Sequence, residues 1–278
     1  MAPDDLDAWL DDPQRRPIIV GILNATPDSF SDGGLYLSPD AARDRVRQMI
    51  DDGADWIDVG GESTRPGSES VDADEQIRRV MPAVEAGVTA GVVVSIDTTS
   101  AAVGRPAMSA GASVVNDVAA GRDDPDMPAA MAEAKAVVLM HRLGDSKTMQ
   151  DDPRYDDVVA EVEAFLLERA VAIGVEPRRV LLDPGIGFGK TVRHNLQLLA
   201  ATRRLADLGH PLLVGASRKR FLGTITNQPD ADKRQFSTAA TVAWSVANGA
   251  SAIRVHDVRE MREVRDVVDA IQRPAAFG

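Results

Sequence analysis

Ile18-Ile19-Val20-Gly21-Ile22-Leu23 runs directly into Asn24-Ala25-Thr26-Pro27-Asp28-Ser29-Phe30-Ser31-Asp32-Gly33-Gly34. The apolar run is rich in β-formers and reads as a short buried strand. The polar, glycine-ended stretch cannot continue it, so Asn24, Asp28, Asp32 and Phe30 fall at the strand's carboxyl end and on the loop beyond. The same succession of apolar run, polar or glycine loop and amphipathic segment repeats along the chain. Further strands are expected at Trp56–Val59, Val92–Asp97, Val114–Asn116, Ala136–Met140, Val180–Asp183, Leu212–Gly215 and Ala252–His256. Helices are expected at Pro39–Asp51, Ala73–Ala86, Ala101–Ala110, Met127–Glu133, Asp157–Ile173, His194–Leu208, Ser237–Asn248 and Glu260–Ile271. Gly53, Gly111, Gly174 and Gly249 stand where a left-handed residue would close a helix.

Eight β/α units in about 250 residues match an α/β fold of the (β/α)8 TIM-barrel type. An open doubly wound sheet has a similar unit count. The polar strand ends decide between them: Asn24, Asp58, Asp97, Asn116, His141, Asp183, Ser217 and His256 converge on one rim only if the sheet closes. A site at the C-terminal rim of the strands follows. No linker-like shift in composition interrupts residues 16–275, which read as one barrel domain. Residues 1–15, with five aspartates, read as a loosely attached acidic tail.

The chain has no cysteine, so neither a disulfide framework nor a thiolate metal site is available. No apolar run nears the roughly 18–20 residues that span a bilayer, and the acidic start is unlike a secretory leader. A cytoplasmic protein without membrane partners is expected. A net charge of −12 without a basic stretch also argues against nucleic acid. The acids are 32 Asp to 11 Glu and the bases 26 Arg to 5 Lys. Such an Asp-rich, Lys-poor balance resembles salt-adapted, halophilic surfaces; a high-GC genome produces the same bias.

Four rim segments carry chemistry. Asp97 and Asp183 each end a run of β-formers and point toward the barrel mouth, where a carboxylate must be paired or hydrogen-bonded. With Asn116 and Lys219 they suit a flat, amide-like heterocycle; a buried structural ion pair with Lys219 is the plain alternative. Asp58-Val59-Gly60-Gly61-Glu62-Ser63-Thr64-Arg65-Pro66-Gly67 is a second glycine-rich loop, with Arg65 offering a planar fork to phosphate. Gly215-Ala216-Ser217-Arg218-Lys219-Arg220 places three consecutive bases before a helix, a usual anion end of such barrels. On the last strand, alternation sends Arg254 and His256 to one face. Asp183-Pro184-Gly185-Ile186-Gly187-Phe188-Gly189-Lys190 superficially resembles a nucleotide phosphate loop but lacks its spacing; Phe188 reads instead as an aromatic wall beside Asp183.

Taken together, these segments, with Ser95-Ile96-Asp97-Thr98, Asn116-Asp117, Leu139-Met140-His141 and Arg254-Val255-His256-Asp257, resemble the ordered motif set of the dihydropteroate synthase family over roughly residues 17–272. The resemblance implies a transferase of folate biosynthesis. It would join 6-hydroxymethyl-7,8-dihydropterin pyrophosphate to p-aminobenzoate and release pyrophosphate. It implies a pterin slot of Asp97, Asn116, Met140, Asp183 and Lys219, and a pyrophosphate site of Asn24, Thr64, Arg65, Arg254 and His256. It further implies Mg²⁺ near Asn24 and an aminobenzoate pocket of Phe30, Pro66, Phe188, Ser217 and Lys219, where sulfonamides also bind in the family. Asp32, Arg65, Lys219, Arg254 and His256 would act in catalysis, Asp32 stabilising a pterin cation. The helix beginning near Ser217 would offer its dipole to the aminobenzoate carboxylate, and a homodimer is expected.

The chain departs from the family pattern at Arg220, where many members carry a small hydroxyl residue, and across Phe236-Ser237-Thr238-Ala239-Ala240. Two rivals are weaker. A methyltetrahydrofolate:corrinoid methyltransferase shares the pterin-binding aspartates but needs neither closing loops nor Arg254 and His256. A non-catalytic pterin-binding paralogue should have lost Asn24, Asp32, Arg65, Lys219 or His256, and all are present.

Overall fold

In a computed structural model the described residues are 1–26, 38–62, 71–145 and 148–274. Eight parallel strands, β1 (Ile18–Asn24), β2 (Trp56–Gly60), β3 (Val93–Asp97), β4 (Val114–Asp117), β5 (Ala136–Met140), β6 (Val180–Asp183), β7 (Leu213–Val214) and β8 (Ala252–Val255), hydrogen-bond in the order β6-β5-β4-β3-β2-β1-β8-β7. A bridge between Leu182 and Leu212 joins the two ends of that order into a ring. The chain is therefore the expected (β/α)8 barrel.

Period-two alternation sorts each strand into an inner and an outer set. Ile18, Val20, Trp56, Val93, Val114, Ala136, Val138, Leu181, Leu213 and Ala252 fill the lower barrel interior. Their neighbours Ile19, Leu23, Ile57, Val59, Val94, Ile96, Val115, Val137, Leu139 and Leu182 pack outward against the helix layer. The helices are α1 (Leu6–Asp11), α2 (Pro39–Asp51), α3 (Ala73–Thr89), α4 (Ala101–Ser109), α5 (Met127–Glu133), α6 (Val158–Ile173), α7 (Val192–Ala200), α8 (Thr202–Ala206), α9 (Arg220–Thr226), α10 (Gln235–Ala247) and α11 (Val258–Gln272). Their starts are chemically marked: Asp72 and Asp157 accept from the first-turn amides of α3 and α6. Gly53, Gly111, Gly174 and Gly249 all adopt the expected positive φ.

Three expectations need correction. The first fifteen residues are not a loose tail. Leu6, Trp9 and Leu10 of α1 are buried in the same cluster as the inner strand residues and close the barrel floor. Trp9 meets Trp56 edge-on at 5.8 Å, and its Nε1 donates to Arg16 O at 2.9 Å. Burying two aromatic rings outweighs the repulsion of a few solvated aspartates. The expected single helix over 194–208 is split at Ala201 into α7 and α8, and the Thr202 hydroxyl takes the Leu199 carbonyl at 2.6 Å. The helix after the three bases begins at Arg220, with Lys219 as its N-cap, rather than near Ser217.

Candidate active site

Strand register sets the upper interior. Asn24 pairs with Gly60, Gly60 with Asp97 and Asp97 with Asn116, so these residues lie side by side on one rung across β1–β4. Met140 pairs with Asp183 across β5 and β6 and extends the ring. Gly60 matters because of its missing side chain. A Cβ there would sit 3.7 Å from Asp97 Oδ2 and 3.9 Å from Asn24 Oδ1, so the glycine leaves a gap between two oxygen-bearing side chains.

One inward step below Gly60, Asp58 is 1% exposed. Arg254 reaches across from β8, its Nε donating to Asp58 Oδ2 at 2.6 Å and its Nη2 to Asp97 Oδ2 at 2.8 Å. Asn116 Nδ2 donates to the same Asp58 Oδ2 at 3.0 Å. Burial would lower the Arg254 pKa, but Asp58, Asp97 and Asp183 raise it overall. Burial pushes Asp97 up to about 7 despite the opposing guanidinium. The buried ion pair that the plain alternative gave to Lys219 is made by Arg254.

Opposite this cluster, Asp183 Oδ1 accepts from Gly185 N at 2.7 Å, and burial raises its pKa to about 6. Gly185 has φ +66°, and a Cβ there would lie 1.9 Å from His141 O; the turn that aims Asp183 inward tolerates no side chain. Lys219 Nζ lies 4.0 Å from the centre of the Phe188 ring, a cation–π distance. Burial, then the Arg254 charge, lowers the Lys219 pKa to about 8.

Arg218, one of the three consecutive bases, is turned away from the mouth. Its guanidinium binds Asp257 at 2.5 and 3.1 Å and also pairs with Asp232. Arg220 is exposed on α9, so of the three only Lys219 joins the mouth. Ser217, expected along the aminobenzoate wall, bonds His256: its Oγ lies 3.0 Å from Nδ1 and accepts from the His256 backbone N–H at 3.2 Å. Burial and the Arg254 charge push the imidazole down to about 3. The imidazole is therefore neutral, and the hydroxyl holds its Nδ1 edge, leaving Nε2 on the other side of the ring. Phe30, Asp32, Thr64, Arg65 and Pro66 lie outside the described residues.

Two residues of the site escaped the sequence reading. Asp58 was visible only as a polar strand end, and nothing local signalled that Arg254 and Asn116 would meet on it. Lys190, read as part of a false phosphate loop, is buried and donates to Phe188 O at 3.0 Å and His141 O at 3.3 Å, with His141 Nδ1 at 3.0 Å. Tyr155 Oη and Gln150 Nε2 tie the Gly189 and Gly187 carbonyls of the same loop at 2.9 and 2.7 Å.

The mouth thus combines carboxylates, an amide, a lysine and an arginine above the buried apolar side chains of the lower barrel. That is a donor–acceptor frame for a flat polar ring with a cation set for an anionic substituent. A family model described as pterin binding enzyme matches residues 20–256. The dihydropteroate synthase of Mycobacterium leprae is 48% identical over 251 residues, covering 87% of this chain and 88% of that protein. The Yersinia pestis dihydropteroate synthase solved with a sulfonamide drug superposes with a TM-score of 0.86 at 43% identity, over 92% of this chain and 94% of the other. The Xanthomonas albilineans enzyme in complex with 7,8-dihydropteroate gives 0.84 at 40%, over 96% and 98%. With its barrel, its rung of Asn24, Asp97 and Asn116 and its Arg254 bound to Asp58 and Asp97, the chain belongs to the pterin-binding enzymes, in their dihydropteroate synthase group.

Proposed function

We propose the following division of labour for the reaction this enzyme catalyses, the condensation of 6-hydroxymethyl-7,8-dihydropterin pyrophosphate with p-aminobenzoate to 7,8-dihydropteroate and pyrophosphate. The observation that carries it is that Asp97, Asn116 and Asp183 end β3, β4 and β6 on one rim of the barrel, where Arg254 binds Asp97 and Lys219 carries its charge toward Asp183. Carboxylate and amide edges match the amino, lactam and ring N–H groups of a pterin, and a site built from such buried polar groups rejects rings that leave them unpaired. Met140, paired with Asp183 across β5 and β6, offers apolar surface to the ring, and Lys219 and Phe188 wall the aminobenzoate side, the ammonium facing its carboxylate. A sulfonamide such as the Yersinia relative was solved with would compete at that wall.

The reaction begins when the carbon–oxygen bond to pyrophosphate breaks and its electron pair leaves with the phosphate. The resulting cation is delocalised into the pterin. The arylamine lone pair then forms the carbon–nitrogen bond and the amine loses a proton. Arg254 and the neutral His256 stabilise the departing charge; fixed donors of this kind cost no reorganisation. Asp32, Thr64 and Arg65 belong to the same proposal by resemblance.

The Asn24 position fits Mg²⁺ by its donor chemistry: an amide oxygen on the rim, near Asp97 Oδ2 and above the gap left by Gly60. Hard oxygen ligands suit this ion, which keeps several waters and leans on substrate phosphates. When bound, Mg²⁺ would neutralise developing charge on the pyrophosphate.

A homodimer is part of this reading. Phe236 and Trp244 on α10 and Val267 and Ile271 on α11 are exposed on two helices packed against each other, an apolar face suited to a second copy. Among the described residues no helix is long and apolar enough to cross a membrane.

The test is pyrophosphate release by purified protein with both substrates and Mg²⁺. Release should require p-aminobenzoate, and Arg254→Ala should lower it about 10²–10³-fold, as loss of one transition-state donor does. Pterin binding without turnover would move the assignment to a non-catalytic paralogue.

A further inference from the structure

We propose that Asp58 is a positioning residue that determines which edge of Asn116 meets the substrate ring, and thereby part of the ring specificity. The inference rests on the pterin reading above. A carboxylate paired with a guanidinium offers acceptors only. Because Asn116 hydrogen-bonds to Asp58 Oδ2, it must turn its NH₂ group inward. Its carbonyl oxygen is then left to accept an N–H from a ring held in the mouth. An amide at that position without Asp58 could turn either way and would welcome an acceptor as readily as a donor.

The wiring around Asp58 supports a role in the site rather than in the barrel wall. Its hydrogen bonds come from Arg254 and Asn116, both on Oδ2, while the buried Oδ1 has no hydrogen-bond partner. Burying a carboxylate is costly, and here the compensating donors are residues facing the mouth. Arg254 gains a second benefit. Its Nη2 is shared with Asp97, which must turn to a ligand; Nε stays on Asp58, so the guanidinium keeps its place when Asp97 is engaged.

The test measures dissociation constants by fluorescence for three rings: 2-amino-4-oxopteridine, its 7,8-dihydro form and its 2,4-dioxo counterpart. These differ in which edge positions donate. Asp58→Ala should change the affinity ratio between at least one pair of rings by about tenfold, the size of effect a mispaired buried polar group produces. Asp58→Asn should weaken all three together and keep the ratios, because an amide oxygen at the Oδ2 position still accepts from Asn116. Should Asp58→Ala fail to fold, Asp58→Leu fills the space without offering an acceptor and carries the same expectation. A uniform change across the three rings in the acceptor-less variant would overturn the inference, as would altered ratios in Asp58→Asn. Wild-type protein that bound none of the rings would overturn the pterin reading itself, and this inference with it.

Discussion

Lys190 is 4% exposed and sits between the end of β5 and the loop after β6, where it joins the His141 and Phe188 carbonyls. Its ammonium thus holds in register the two segments that carry Met140 and Phe188. Burial lowers its pKa from 10.5 to about 7, and the neighbouring His141 is pushed down to about 3 by burial and then by the Lys190 charge. The sign of the pH effect follows. Between about 7 and 10.5 the unfolded chain binds a proton that the folded chain gives up, so stability rises with pH across that window. Lys219, lowered to about 8, adds in the same direction. The urea midpoint should therefore climb from pH 7.5 to pH 9.5, and Lys190→Met should flatten the climb without abolishing it. An unchanged slope in the variant would show that the folded protein does not discharge Lys190. Asp97, Asp117 and Asp183, all raised by burial, act oppositely at lower pH: each holds a proton longer when folded, so each lowers stability as pH rises from about 4 toward its folded value.

Among the elements, α1 departs most from what its composition suggests. Five aspartates in fifteen residues argue for a solvated tail, yet Leu6, Trp9 and Leu10 sit at helical spacing on one face. That face covers the end of the barrel opposite the site, where Ile18, Val93, Val114 and Leu181 would otherwise meet water. Truncating a buried tryptophan costs about 3–5 kcal/mol. Trp9→Ala should lose that much in guanidinium unfolding while leaving pteridine affinity unchanged, because the floor and the mouth are separated by layers of inner side chains. A loss below about 0.5 kcal/mol, the range of ordinary surface changes, would mean that α1 is not part of the core. Strand β8 shows the converse economy. A single inward alternation places Arg254 and His256 at the mouth, and the Ser217 hydroxyl after β7 then fixes the imidazole.

At the scale of the whole molecule, 43 acids face 31 bases. Surface pairs such as Arg178–Asp11 at 2.6 Å and Arg259–Asp52 at 2.6 Å neutralise part of the excess, but solvent and salt screen such exposed pairs and each contributes little. The uncompensated charge of −12 repels itself across the surface. Salt shortens the screening length from about 30 Å at 0.01 M to about 3 Å at 1 M. The melting temperature should accordingly rise from dilute buffer to molar NaCl, and a fall would show that surface ion pairs outweigh the net repulsion. The sequence alone determined the barrel, the strand positions, and the arrival of Asn24, Asp97, Asn116, Asp183 and Arg254 at one rim. That information is local: alternation over five or six residues and the turn that follows. Only the tertiary structure decided that Arg254 binds Asp58, 196 residues earlier, that Arg218 turns away to Asp257 while Lys219 turns in, and that α1 closes the floor. Those outcomes depend on which side chains closure of the sheet brings within hydrogen-bonding distance, and no pattern along a single strand encodes distances across a barrel.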